Sequence, residues 1–106
     1  MAIAPEQFQD LKVVQGLSST VSLKLPADPT DWKISLEVRD RPGGLVYADL
    51  SLENGLELDV AKRVLKAMFT SDQTARFARV SVWTLLVTAP DAAPERLFYG
   101  HVYVRS

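Results

Sequence analysis

The chain has 106 residues, 47% of them hydrophobic and 24% charged, proportions ordinary for a single folded domain. Its 12 lysines and arginines against 13 aspartates and glutamates leave a net charge of −1 without any block of one sign, which argues against a dedicated nucleic-acid surface. With no cysteine, a disulfide framework, a thiolate nucleophile and a zinc–thiolate site are all excluded.

A domain of this size buries roughly two-thirds of the surface of its unfolded form, enough for one core without staples. "MAIAPEQFQD" has no basic region leading into an apolar core, so no signal peptide is expected. No apolar run approaches the roughly 20 residues that span a bilayer. The expectation is one soluble domain over 1–106, with no membrane contact.

Taken in chain order, "LKVV" reads as a short first strand closed by Gly16. "TVSLKLP" alternates Val21, Leu23 and Leu25 with Ser22 and Lys24, and Pro26 ends it because proline has no ladder donor. In "PADPTDW", Asp28 and Asp31 are the acidic pair that could ligate calcium. Hard cations need several oxygens at set spacing, and "DPTD" is also turn chemistry, so no metal is expected. "WKISLEVRD" places Trp32, Ile34, Leu36 and Val38 on one face and Lys33, Ser35, Glu37 and Arg39 on the other, a strand with one dry side. Pro42-Gly43 suits the centre of a type II turn. With neither GxGxxG nor GxxxxGK[ST] around Gly43-Gly44, this is no phosphate cradle and no cofactor is expected.

"LVYADLSL" is strand-like, and "ENG", with its Asn54-Gly55 pair, reads as a tight hairpin. Residues 60–69 are ambiguous. Val60, Ala61, Val64, Leu65 and Met68 recur at helical spacing among good helix formers, and the local signal leans to helix; yet 64–69 also suits a strand. Thr70 and Gln73 have capping-box spacing, which starts a short helical turn near 70–76. "RVSVWTLLVTA" is a long strand, "PDAAPE" a loop and "RLFYGHVYVR" the last strand. Six to eight short strands, antiparallel where the loops are short, form the pattern of an all-β sandwich.

Chemistry is sparse. His101 is the only histidine and has no nucleophile or orienting partner evident in the sequence, so no enzyme is expected. It shares a strand face with Tyr99 and Tyr103, opposite Phe98, Val102 and Val104. The preceding strand is apolar on both sides, with Trp83, Leu85 and Val87 on one and Val80, Val82 and Leu86 on the other. Either residues 61–78 cover the second side or another copy does. Arg39 and Arg41 add arginines of the kind enriched at binding hot spots. The candidate interface is therefore Trp83, Leu85, Tyr99, His101, Tyr103, Arg39 and Arg41.

The ordered set of features resembles a known family. Its parts are the early Gly16 with the strand ending at Leu25, the Trp32–Asp40 strand, the "PGG" turn, "ENGLEL", "TSDQTA", the strand around Trp83 and "LFYGHVYV". The chain is similar to the small immunoglobulin-like domain at the N-terminus of tailed-phage upper baseplate proteins and in related virion proteins. The likeness runs from about Phe8 to Arg105. It implies an immunoglobulin-like antiparallel β-sandwich and turns 64–69 toward strand. It further implies a structural role in the virion, with other phage structural proteins or further copies of the chain as partners. Members are not enzymes, so no catalytic residues carry over. The alternative expectation is a module that binds carbohydrate or another ligand, with Trp32, Tyr47, Tyr99 or Tyr103 as platforms.

Overall fold

A computed structural model describes residues 6–106. Nine strands form one curled sheet: β1 (Gln7–Phe8), β2 (Leu11–Val14), β3 (Ser19–Lys24), β4 (Lys33–Arg39), β5 (Val46–Leu52), β6 (Gly55–Asp59), β7 (Val64–Phe69), β8 (Val80–Thr88) and β9 (Glu95–Arg105). Among the described residues one helix, α1 (Ser71–Arg76), sits between β7 and β8. The strand order is β1-β9-β8-β4-β5-β6-β7-β3, with β2 also on β9, and the curl brings β2 next to β3. The fold is thus all-β and sandwich-like: β9, β8, β4 and β5 form a front layer, and β6, β7 and β3 a back layer.

Alternation decides what lies between the layers. Trp32, Ile34, Leu36 and Val38 are buried, together with Leu23 and Leu25, as their period-two spacing requires. Leu65, Ala67 and Phe69 of β7 share a single buried cluster with Trp83, Leu85 and Val87 of β8. The segment 61–78 therefore covers the inner side of β8, not its outer side. At its start α1 shows the expected capping box: Thr70 Oγ1 accepts from the Gln73 N–H, and Gln73 Oε1 accepts from the Thr70 N–H. Thr74, fully buried, fastens the helix to the β2–β3 loop by accepting from Gly16 N (3.1 Å) and donating to Leu17 O (2.9 Å).

The local lean of 60–69 to helix gives way, and 64–69 take the strand state that the resemblance implies. Residues 60–63 form a turn, with Arg63 at φ 55°, and 64–69 are strand β7. Helix propensity favours this segment by only a few tenths of a kcal/mol per residue. Burying Leu65 and Phe69 contributes roughly 1.5–3 kcal/mol each, and β7 also pairs on both edges, with β3 and β6. Tertiary context wins.

Two further details differ from expectation. Beyond Asn54 the chain does not fold back as a hairpin. Glu53 takes a left-handed φ of 69°, Ser51 and Asn54 exchange backbone hydrogen bonds, and β6 leaves parallel to β5. That path carries Leu56 into the core and the chain from front layer to back. The sheet is also mixed rather than purely antiparallel, because β1 and β2 both run parallel to β9. The "PGG" turn forms as read: Gly43 has φ 73°, and Gly44 N donates to Arg41 O at 2.9 Å.

The edge strand holds the least conventional piece of backbone. Its register on β9 is the same before and after the break, Phe8 opposite Tyr99 and Leu11 opposite Val102; Gln9 N–H still donates to Tyr99 O at 2.9 Å, but the ladder is interrupted at the Gln9 carbonyl and Asp10. In a regular parallel ladder the Gln9 carbonyl would accept from His101 N–H. Instead Asp10 Oδ1 accepts that N–H at 3.1 Å, and the Gln9 carbonyl turns inward over Gly100 to accept from Trp83 Nε1 at 2.7 Å. A side chain at position 100 would not fit, since a Cβ there would lie 2.0 Å from Gln9 O. Gly100→Ala is therefore expected to lower stability by about 1–3 kcal/mol, the usual range for overpacking. Chemical denaturation measures it, and an unchanged midpoint would show that the crossing is not tight.

Candidate interface on the outer face of the front layer

Strand pairing fixes which side chains meet on this face. Tyr99, Thr84, Glu37 and Asp49 lie in one row across β9, β8, β4 and β5. His101, Val82, Arg39 and Val46 form the next, and Tyr103 stands beside Val80. Phe8 enters from β1, its ring edge-on to Tyr99 (5.4 Å between centroids) and to His101 (5.8 Å). The His101 and Tyr103 rings follow at 5.9 Å. The result is an aromatic strip along β9, bordered by the apolar outer side of β8.

Charge is arranged around this strip. The Arg96 guanidinium lies 4.6 Å from the Tyr99 ring centroid and pairs with Glu6 at 2.8 Å. Arg39 holds Glu37 at 2.7 Å and donates to the Gly44 carbonyl at 2.8 Å, which ties β4 to the "PGG" turn. Between these groups is a hollow of about 420 Å³ walled by Phe8, Arg39, Pro42, Arg96, Tyr99 and His101. Among the described residues His101 Nδ1 is enclosed without a hydrogen-bond partner, 3.5 Å from Asp10 Oδ1.

The two outer faces of the sandwich differ in kind. On the back layer, Ser22, Lys66 and Glu57 form one row, Lys24, Val64 and Asp59 the next, and Thr20 stands beside Met68, which is 36% exposed, a mostly polar side with one apolar side chain at its end. On the front, Phe8 is 55% exposed, Val80 50% and Tyr103 39%, with Val82 and Leu86 half-buried.

Of the residues expected at an interface, Arg39, Tyr99, His101 and Tyr103 lie on this face. Trp83 and Leu85 do not. They are 1% and 0% exposed in the protein's own core, so neither can meet a partner, a correction to their reading as interface residues. Where both sides of a strand are apolar, alternation gives two sets but not which one points inward. Arg41 is exposed in the "PGG" turn, beside the hollow rather than in it. Phe8 and Arg96 complete the face but were not picked out from the sequence. Phe8 lies on a two-residue strand, and Arg96 finds its partner Glu6 some 90 positions away.

The remaining candidates have plain surroundings. Asp28 Oδ1 accepts from both Thr30 N and Thr30 Oγ1, a turn whose hydrogen bonds hold the carboxyl below the ordinary carboxylate range. Among the described residues no group of three or more His, Asp or Glu is placed to hold a metal, and no helix is long and apolar enough to cross a membrane. Trp32 is buried, and the half-buried Tyr47 ring packs 6.1 Å from Phe77.

The hydrogen bond from Arg96 holds the Glu6 carboxyl below its ordinary range. A carboxyl with a lowered folded-state pKa stabilises the structure above the unfolded value, and that contribution is lost as pH falls through the folded value. Acid is therefore expected to release Arg96 and loosen β1. In NMR titration the Phe8 and Tyr99 signals should move below the usual carboxylate range, and Glu6→Gln should abolish that movement; an unaltered response in the variant would refute the coupling. Compared with models of known protein families the chain matches none, and no curated protein matches it.

Proposed function

We propose that this protein is a non-enzymatic assembly domain of a tailed-phage virion, immunoglobulin-like in fold, that works through protein–protein contacts. It is made in the host cytoplasm and resides in the particle, held to other structural proteins or to further copies of itself. The observation that carries the interaction part is the contrast between the two outer faces. One is mostly polar, with Met68 its exposed apolar exception, and the other presents Phe8, Val80, Val82, Tyr99, His101 and Tyr103 with arginines at its border. Aromatic residues and arginine are enriched at interface cores, and contiguous exposed apolar surface marks binding sites in soluble proteins. The virion assignment draws on the ordered resemblance from Phe8 to Arg105.

A carbohydrate-binding reading draws on the same hollow through Phe8 and Tyr99. Their rings are inclined at 76°, and those of His101 and Tyr103 at 37°, so they offer edges rather than one flat stacking platform. Chemical cross-linking of the purified chain, alone and mixed with tail proteins, tests the assembly reading. The expected result is cross-linked product that Tyr99→Asp diminishes. A strict monomer without affinity for tail proteins would remove the assignment, and specific hits on a glycan array would favour the carbohydrate reading.

A further inference from the structure

We infer that Asn54 is a site of spontaneous covalent modification in the folded protein: the Gly55 amide nitrogen closes on the Asn54 side chain, and the resulting cyclic imide opens to isoaspartate or aspartate. Asn54 is the chain's only asparagine. It lies exposed where the chain crosses from the front layer to the back.

The crossover leaves both reacting groups open. Its hydrogen bonds run from Ser51 N–H to Asn54 O, from Asn54 N–H to Ser51 O and from Glu53 N–H to Leu56 O, and the Gly55 N–H takes part in none of them. The side-chain amide of Asn54 makes no hydrogen bond among the described residues. Position 55 carries no side chain to block the approach, and the two groups are neighbours in the chain, so the ring closure is intramolecular.

The reaction needs only hydroxide and water. Hydroxide takes the Gly55 amide proton, the nitrogen bonds to Asn54 Cγ, and the side-chain nitrogen leaves as ammonia. Water then opens the imide. Opening at Cγ gives aspartate with the backbone unchanged. Opening at the main-chain carbonyl gives isoaspartate, in which the backbone runs through Cγ and gains a methylene.

The fold holds glycine at 55 and gives the modification its consequence. Gly55 has φ 96°, and a Cβ there would lie 2.6 Å from Leu50 Cδ2. Lengthening the backbone just before it either presses Gly55 into Leu50 or draws the buried Leu56 away from its register with Ala67. The new carboxylate also joins Asp49, Glu53, Glu57 and Asp59, in a stretch without lysine or arginine between Arg41 and Lys62. Isoaspartate at 54 therefore loosens β6 from β5, and it does so independently of whatever covers the front face.

Mass spectrometry with peptide mapping tests this on purified protein aged at mildly alkaline and mildly acidic pH, with and without urea. Labelling by an isoaspartyl methyltransferase identifies the product. The folded wild type should exchange its amide for an acid at 54, faster in alkali, with isoaspartate in the peptide spanning 54–55. Asn54→Gln, whose longer side chain closes a ring less readily, should stay unchanged over the same period. Aged wild type should unfold at a lower denaturant concentration than fresh protein. Asn54→Asp, which adds the charge without the methylene, should lose less. Conversion confined to urea overturns the proposal, as does equal conversion in Asn54→Gln. Fully converted protein as stable as fresh protein overturns the loosening of β6.

Discussion

The structure depends on an exchange of hydrogen-bond acceptors at the edge of the front layer. The Asp10 carboxylate takes the His101 N–H that the Gln9 carbonyl would otherwise hold, and the freed carbonyl reaches across Gly100 to the indole N–H of Trp83. Every part of this answers a physical demand. A buried indole N–H without an acceptor costs about 1–3 kcal/mol, and the edge strand supplies one by turning the Gln9 carbonyl out of the ladder while the Gln9 N–H stays on Tyr99 O. Turning it orphans His101 N–H, which Asp10 repairs. Gly100 leaves the space through which the carbonyl passes.

Core and surface are linked through this crossing. On its inner side, Trp83 is held in a stacked arrangement with Phe98, 19° from parallel, and the strand continues into the buried Leu11 and Val13. On its outer side, Phe8 is set against Tyr99 and His101 at the head of the aromatic strip. A break of two residues thus seals one edge of the core and builds one flank of the candidate interface. The charged border is assembled in the same way from distant parts, with Glu6 and Arg96 joined across the length of the chain.

What was legible in the sequence was local. Alternation from Trp32 to Val38, the proline–glycine pair at 42–43 and the Thr70–Gln73 box each carry their own physical reason within a few residues, and each formed as read. The segment 64–69 was not legible from its local signal, and only the resemblance turned it toward strand, because its strand state depends on partners on both edges that lie far away in sequence. The orientation of β8 was not legible either. Trp83 and Val82 are both apolar neighbours, and the indole points inward where Phe98 stacks on it and the Gln9 carbonyl above Gly100 accepts its N–H. The parallel course of β1 and β2 beside β9 had no local signal at all, since polar Gln9 and Asp10 read as a gap before a strand rather than as a splice within one.

The central claim is that one outer face of this sandwich exists to be covered and the other to be wet. Amide chemical shifts recorded by NMR over a concentration series of the chain test this most directly. The account requires movements that cluster at Arg39, Val82, Tyr99 and His101 and spare Ser22, Glu57 and Lys66. Shifts centred on the back layer, or a spectrum changed neither by concentration nor by added tail proteins, would contradict it.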